Sequence, residues 1–223
     1  MPGKSKASVP ARVPVTRDRA LAAAVSVADT EGIDALTMRR LALELGVEAM
    51  SLYHHVASKT DILDGMVDLV FTEIELPAQG VQWKPAMRAR AMSARAALMR
   101  HKWAVSIMNS RTAPGPATLR HHDAVIGCCR QAGFSVAETG HIFSLIDSYV
   151  YGFVLQEVAL PFDETSNLEA IIEDMMMPFS PDDYPHLTEF TIDYILKPGY
   201  RYGDEFEYGL DLVLDRLETM RPG

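Results

Sequence analysis

The sequence predicts an all-α fold: a small three-helix unit at the N-terminal end, then a larger helical unit. Three observations carry this expectation. Apolar residues recur at three- and four-residue intervals through most segments. Clusters of proline and glycine divide those segments. No segment shows a convincing strand pattern, and no internal repeat is visible.

Residues 1–15 are rich in Pro, Ser and Lys and are expected to form a disordered basic arm. A first helix is expected over 17–31, capped by Thr16, presenting Leu21, Val25 and Ala28, and stopped at Asp29-Thr30-Glu31-Gly32. Thr37 is suited to cap a second helix carrying Leu41 and Leu45. Gly46 sits where that helix must end, because glycine takes positive φ cheaply. A third helix is expected from Glu48 to His55, with Leu52 and Val56 turned inward and Ala49, Met50, Ser51, Tyr53 and His54 outward. Ser58 can cap a fourth helix over 59–75, which carries Ile62, Leu63, Met66, Leu69, Val70 and Ile74. Leu76 to Gly80 marks a break, giving expected domains at 16–76 and 81–221. Further helices are expected at about 84–109, 117–132, 136–159, 186–196 and 204–220, with a weaker segment at 166–176.

Two short helices separated by a tight turn, over Thr37 to Lys59, have the layout of a helix-turn-helix, whose second helix enters the DNA major groove. Ala49, Met50 and Ser51 would face base edges; small or apolar groups suit thymine methyls, and Ser51 can donate or accept. Thr37, with its hydroxyl and the backbone N–H groups of a helix start, can meet a phosphate, and Arg39 is placed similarly. His54 and His55 could touch phosphate or base. As helix neighbours they point about 100° apart and cannot chelate one metal ion together, so no metal is assigned to them.

At these residues the chain resembles the TetR family of bacterial transcriptional regulators. The resemblance runs through Arg17-Asp18-Arg19-Ala20, Leu36-Thr37-Met38-Arg39-Arg40-Leu41-Ala42, Leu45-Gly46-Val47-Glu48, Leu52-Tyr53-His54-His55-Val56 and Lys59-Thr60-Asp61-Ile62-Leu63. It implies that Tyr53 contacts phosphate and that Lys59 grips the DNA backbone. The rest of the chain is similar, more loosely, to the ligand-binding domain of the tetracycline-repressor branch, through Tyr151-Gly152-Phe153-Val154-Leu155 and the tail from Phe206 to Leu214. That similarity implies a homodimer and a small-molecule effector. In tetracycline repressors a histidine and a glutamate help hold a magnesium-bound drug. Those positions fall near Met108 or Asn109 and at Gln156 here. Neither ligand is retained, so no metal or other cofactor is expected.

Charge is divided along the chain. The net charge is −9, yet residues 1–60 carry a balance of +2 and residues 61–223 one of −11. Lys4, Lys6 and Arg12 lie in an N-terminal stretch free of acids. A basic N-terminal end on an acidic body would orient the molecule on double-stranded DNA; a basic tail is equally what a plain disordered terminus carries. No apolar run nears the roughly 18 residues of a membrane span, and the first residues lack the apolar core of a signal peptide. Adjacent Cys128 and Cys129 seldom pair, which suits a reduced, cytoplasmic chain.

The second domain is expected to hold a small organic effector between the 84–109 and 136–159 helices. Soft apolar side chains there, Met87, Met99, Trp103, Met108, Phe143 and Met175, with Gln156, are the candidate lining, although any one methionine can simply fill a core. The 142–160 run is apolar on more than one face, and Phe206, Tyr208, Leu210, Leu212, Val213, Leu214 and Leu217 repeat that pattern. Two such helices from each of two subunits would close a four-helix bundle. No catalytic motif is present: no nucleophile elbow, zinc-protease pair or phosphate loop. The expected function is therefore a ligand-responsive DNA-binding regulator rather than an enzyme. The alternative is a helical small-molecule-binding protein or enzyme that does not act on DNA.

Overall fold

The computed structural model of the chain describes residues 14–78, 80–108, 110–111, 113–162, 170–172 and 180–221. Among these residues the structure is helices and turns, with no strand. The arm expected at 1–15 falls outside them except for Pro14 and Val15, and Met175 also lies outside. Two compact units divide inside the fourth helix, one ending at Val67 and the other starting at Asp68.

In the first unit, α1 spans Arg17–Glu31, and Thr16 caps it by accepting a hydrogen bond from the Arg19 N–H at 3.2 Å. Its buried face is Ala20, Leu21, Ala24, Val27 and Ala28. Val25, expected inside, is only half-buried; the alanine ridge at 20, 24 and 28 sets the packing instead. Helix α2 spans Met38–Leu45, with Thr37 accepting from the Arg40 N–H at 3.1 Å. Gly46 ends it at φ 67° and ψ 35°, the left-handed conformation that side chains disfavour.

Helix α3 spans only Ala49–Leu52, shorter than the expected 48–55. After Leu52 the chain tightens: the His55 N–H bonds the Leu52 carbonyl three residues back, at 2.8 Å. Leu52 and Val56 are buried, as the pattern predicts. Helix α4 spans Lys59–Thr72 and stops short of 75, because the Glu73 N–H turns to the Val70 carbonyl, also three residues back. Ser58 Oγ accepts from the Asp61 N–H at 3.1 Å, and Asp61 Oδ2 accepts from the Ala57 N–H at 3.0 Å, so two helix-end donors are satisfied reciprocally. Val67 and Phe71, absent from the expected α4 face, are buried, whereas Leu63 and Leu69 are half-buried.

The second unit comprises α5 (Trp83–Arg100), α6 (Ala104–Met108), α7 (Pro116–Gln131), α8 (Val136–Ala159), α9 (Pro185–Phe190) with a following π turn (Thr191–Ile195), and α10 (Asp204–Glu218). Helix α8 packs against α5, α7 and α10. Its start is fixed by a capping box between Ser135 and Glu138. The expected 84–109 helix is interrupted: His101 leaves helical geometry, and both His101 and Trp103 turn into the interior. The expected 186–196 helix is α9 plus the π turn, and only Ala170 to Ile172 of the weak segment at 166–176 is described, as helix. Cys129 is buried and accepts from Trp83 Nε1 at 3.4 Å, and both cysteines are free. Among the described residues no helix is long and apolar enough to cross a membrane.

Candidate functional site

In the first unit, one short helix is displayed almost bare. Of the four residues of α3, only Leu52 is buried. Met50 is 72% exposed and Tyr53 48% exposed; Ser51, His54 and His55 are exposed, and Ala49 is half-buried. A methionine so exposed gains nothing in water, so the sequence here serves something other than the core. At the helix ends nearby in the chain, Thr37, Arg39 and Lys59 are exposed as well.

Two neighbouring arginines on α2 have opposite fates. Arg40 is held by Glu31 at 2.6 Å and Glu44 at 2.9 Å, which raises its pKa, chiefly through the Glu31 hydrogen bond, and lowers that of Glu31. Arg39 and Lys59 make no ion pair among the described residues. Arg17 pairs with Asp61 at 2.7 Å, tying α1 to the first turn of α4, and this hydrogen bond holds the Asp61 carboxyl below the usual range. Arg39 and Lys59 thus stand at the starts of α2 and α4, where helix N–H groups also favour an anion.

The second unit carries a buried polar cluster that sequence reasoning missed. Arg90 of α5 is 1% exposed. Its Nη1 donates to Asp147 Oδ1 of α8 at 2.7 Å, and its Nε donates to His121 Nε2 of α7 at 3.0 Å. A guanidinium only donates, so His121 Nε2 accepts and the ring proton sits on Nδ1. That Nδ1 has no hydrogen-bond partner among the described residues. Burial, then the Arg90 charge, push the His121 pKa down to about 3, so the ring is neutral. Phe71 of α4 meets His121 edge-on at 5.2 Å and His122 at 5.8 Å, and His122 in turn meets Phe143 at 5.3 Å. The signal was present: Arg90 lies on the same stripe as Met87, Ala91, Ala94 and Ala97, all buried.

One cavity of about 630 Å³ opens between α5, the end of α8 and the 200–203 turn. Met92, Ala96 and Met99 line it from α5, Val158, Leu160, Pro161 and Phe162 from the end of α8 and beyond, and Tyr200 and Tyr202 from the turn. Of the expected lining, Met99 is there. Met87, Trp103 and Met108 are buried and are not in its wall. Phe143 is half-buried beside His122, and exposed Gln156 accepts from the Tyr202 hydroxyl at 2.9 Å. Arg95 and Glu157 form a bidentate pair in the cavity wall, one arm measuring 2.8 Å. No group of three or more His, Cys, Asp or Glu side chains among the described residues could hold a metal ion.

Comparison with known proteins places this geometry. Residues 20–66 match the model of the bacterial regulatory proteins, tetR family, and residues 76–221 match the tetracyclin repressor-like C-terminal domain. A transcriptional repressor, DrrR1 of Streptomyces coeruleorubidus, is 32% identical over 92% of this chain and 78% of its own length. The class E tetracycline repressor protein of Escherichia coli is 30% identical over 64% of this chain and 68% of its own. Among solved structures, ActR of Streptomyces coelicolor in complex with (S)-DNPA superposes with a TM-score of 0.74 at 25% identity, covering 94% of this chain and 100% of that one.

Proposed function

This chain belongs to the TetR family of bacterial regulatory proteins, and we propose that it represses transcription as a homodimer until a small organic ligand releases it from a palindromic operator. It is a helix-turn-helix DNA-binding regulator of transcription. The observation that carries the DNA-binding reading is the exposed face of α3, whose Leu52 is buried, as is Val56 just beyond it. Met50, Ser51 and Ala49 would read base edges, with His54 and His55 beside them. Tyr53, Thr37, Arg39 and Lys59 would hold phosphates. Such a protein acts in the cytoplasm.

Dimerisation is supported by what α8 and α10 leave uncovered. Leu145 and Leu155 on α8 and Tyr208 and Leu212 on α10 are 47% to 69% exposed. Pairing these helices with their symmetry mates would remove that surface from water and space two α3 helices for successive major grooves. Effector binding is supported by the cavity between α5 and α8, and by the relative that was crystallised with a small molecule. In this reading, ligand displaces α5 and α7, and the shift passes to α4, whose Asp68 and Phe71 touch α7 and whose first residue is Lys59. A coupling of about 1–3 kcal/mol would weaken operator binding roughly 5–150-fold.

The test is a gel shift of the purified protein on DNA from its own upstream region. A retarded, competitor-resistant complex with dyad-symmetric protection is expected. Binding no tighter than to random DNA would overturn the repressor reading in favour of a ligand-binding protein that leaves DNA alone.

A further inference from the structure

The wall of the α5–α8 cavity differs in charge from the rest of the molecule. The chain as a whole is acidic, at −9. The cavity wall carries Arg95, Lys102 and Arg201 against one carboxylate, Glu157. Arg95 is neutralised by Glu157, to which it donates from two nitrogens, and its guanidinium also lies over the Phe153 and Phe206 rings at 5.7 and 5.2 Å. A Cβ at Gly203 would overlap that guanidinium, so the 200–203 turn lies close against Arg95. Arg201 pairs with Asp204 at 2.9 Å. Lys102 makes no ion pair among the described residues, which leaves one wall cation unmatched.

The floor is of a different kind. Met92 and Met99 present polarisable thioethers, and Phe162 and Tyr202 present aromatic rings. Thioethers and rings favour a flat aromatic body. A volume of about 630 Å³ suits a molecule of drug size rather than a simple ion.

We infer that this cavity binds an anionic aromatic compound, its rings against Met92, Met99 and Tyr202 and its carboxylate, sulfonate or phenolate at Lys102. The inference names the chemical class of the effector proposed above. It rests on that reading only for its consequence at the operator; binding itself does not depend on DNA.

Two fluorescent probes that differ by one charge test it: anilinonaphthalene sulfonate and its uncharged parent, phenylnaphthylamine. Each is titrated into the full chain, into Lys102→Met and into Ala96→Trp. The wild type should prefer the sulfonate. Lys102→Met should weaken the sulfonate roughly three- to fivefold, the worth of one partly exposed ion pair, and leave the neutral dye within twofold. Ala96→Trp should weaken both dyes by filling the cavity. Should Lys102→Met leave the ratio of the two affinities unchanged, or Ala96→Trp leave both untouched, the anion site is refuted. Both variants are first checked for wild-type circular dichroism, and a Lys102→Glu variant that fails to reverse the preference also counts against the site. The expected dye pattern with no change in operator affinity would support the anion site and overturn the effector reading instead.

Discussion

Asp68 Oδ1 accepts two hydrogen bonds from one residue, Thr118: from its backbone N–H at 2.8 Å and from its hydroxyl at 2.9 Å. Asp68 Oδ2 takes the Ala117 N–H at 3.3 Å. A carboxylate of α4 thus closes the start of α7, where Pro116 leaves the first helical position without a donor and the next N–H groups need acceptors. Gly115 makes room for it, since a Cβ there would overlap the Asp68 carboxylate.

Removing this cap should be measurable without any ligand. Asp68→Ala is expected to cost about 1–2 kcal/mol in a denaturant melt, in the range of lost helix caps. Gly115→Ala should cost at least as much by pushing the carboxylate away while leaving Asp68 in the sequence. Melts unchanged in both variants would show that α4 and α7 are not joined this way in solution.

Salt dependence separates the arginines of α2. Arg39→Ala and Lys59→Ala should each weaken operator binding and flatten the log–log salt slope by roughly 0.9. Arg40→Ala should leave that slope nearly unchanged, because its guanidinium is already committed to Glu31 and Glu44. Substitutions at Met50 or Ser51 should instead alter which base pairs are preferred. A flat response to Lys59→Ala, in affinity and slope alike, would remove it from the DNA contact set.

Assembly can be probed without unfolding the subunit. Leu212 is 55% exposed, so Leu212→Glu adds no charge to the subunit core. It should split a dimer that buries this face, since an unpaired carboxylate there is costly. Light scattering should fall to the monomer mass while circular dichroism is preserved. A wild type that is already monomeric at micromolar concentration would defeat the four-helix-bundle reading.

Stability should fall with acid in a window set by His121. The folded state holds this ring neutral down to about pH 3, whereas the unfolded chain binds a proton below about 6.5. Because the unfolded state binds more protons in between, stability is full above pH 6.5 and falls as pH drops towards 3. By pH 5 the loss from this one group, counted from well above pH 6.5, is about 2 kcal/mol. The groups facing it are Arg90, itself on Asp147, and the rings of His122 and Phe71. His121→Gln should lower stability at neutral pH and make the slope shallower, leaving the part that burial of the neighbouring His122 ring contributes; an equally steep slope in that variant would assign it elsewhere.

Sequence patterning reads the helix starts and the turn glycine of the first unit because local chemistry decides them. Thr16, Thr37 and Ser58 cap as their types prefer, and Gly46 takes the conformation its type allows. The misread elements depend on distant partners. Nothing local stops α5 at Arg100; the chain bends where buried His101 reaches Glu73 at 3.0 Å and Trp103 sinks into the interior. Arg90 and Asp147 read as solvent-facing by type, and it is their pairing with each other, with His121 also accepting from the guanidinium, that makes their burial tolerable. A cavity does lie between the two helices that the pattern singles out, yet of the candidate side chains only Met99 is in its wall. Methionines at 87 and 99 look alike in sequence, while a rotation about the helix axis puts one in the core and the other in the wall.

The brevity of α3 bears on how such a protein changes over generations. Folding asks of it a leucine at 52 and little else; the side chains at 50 and 51 touch almost nothing of their own molecule. Drift at those two positions is then nearly free of selection for foldedness. After a gene duplication, one copy would reach a new set of promoters in a step or two, with the rest of its fold unaltered.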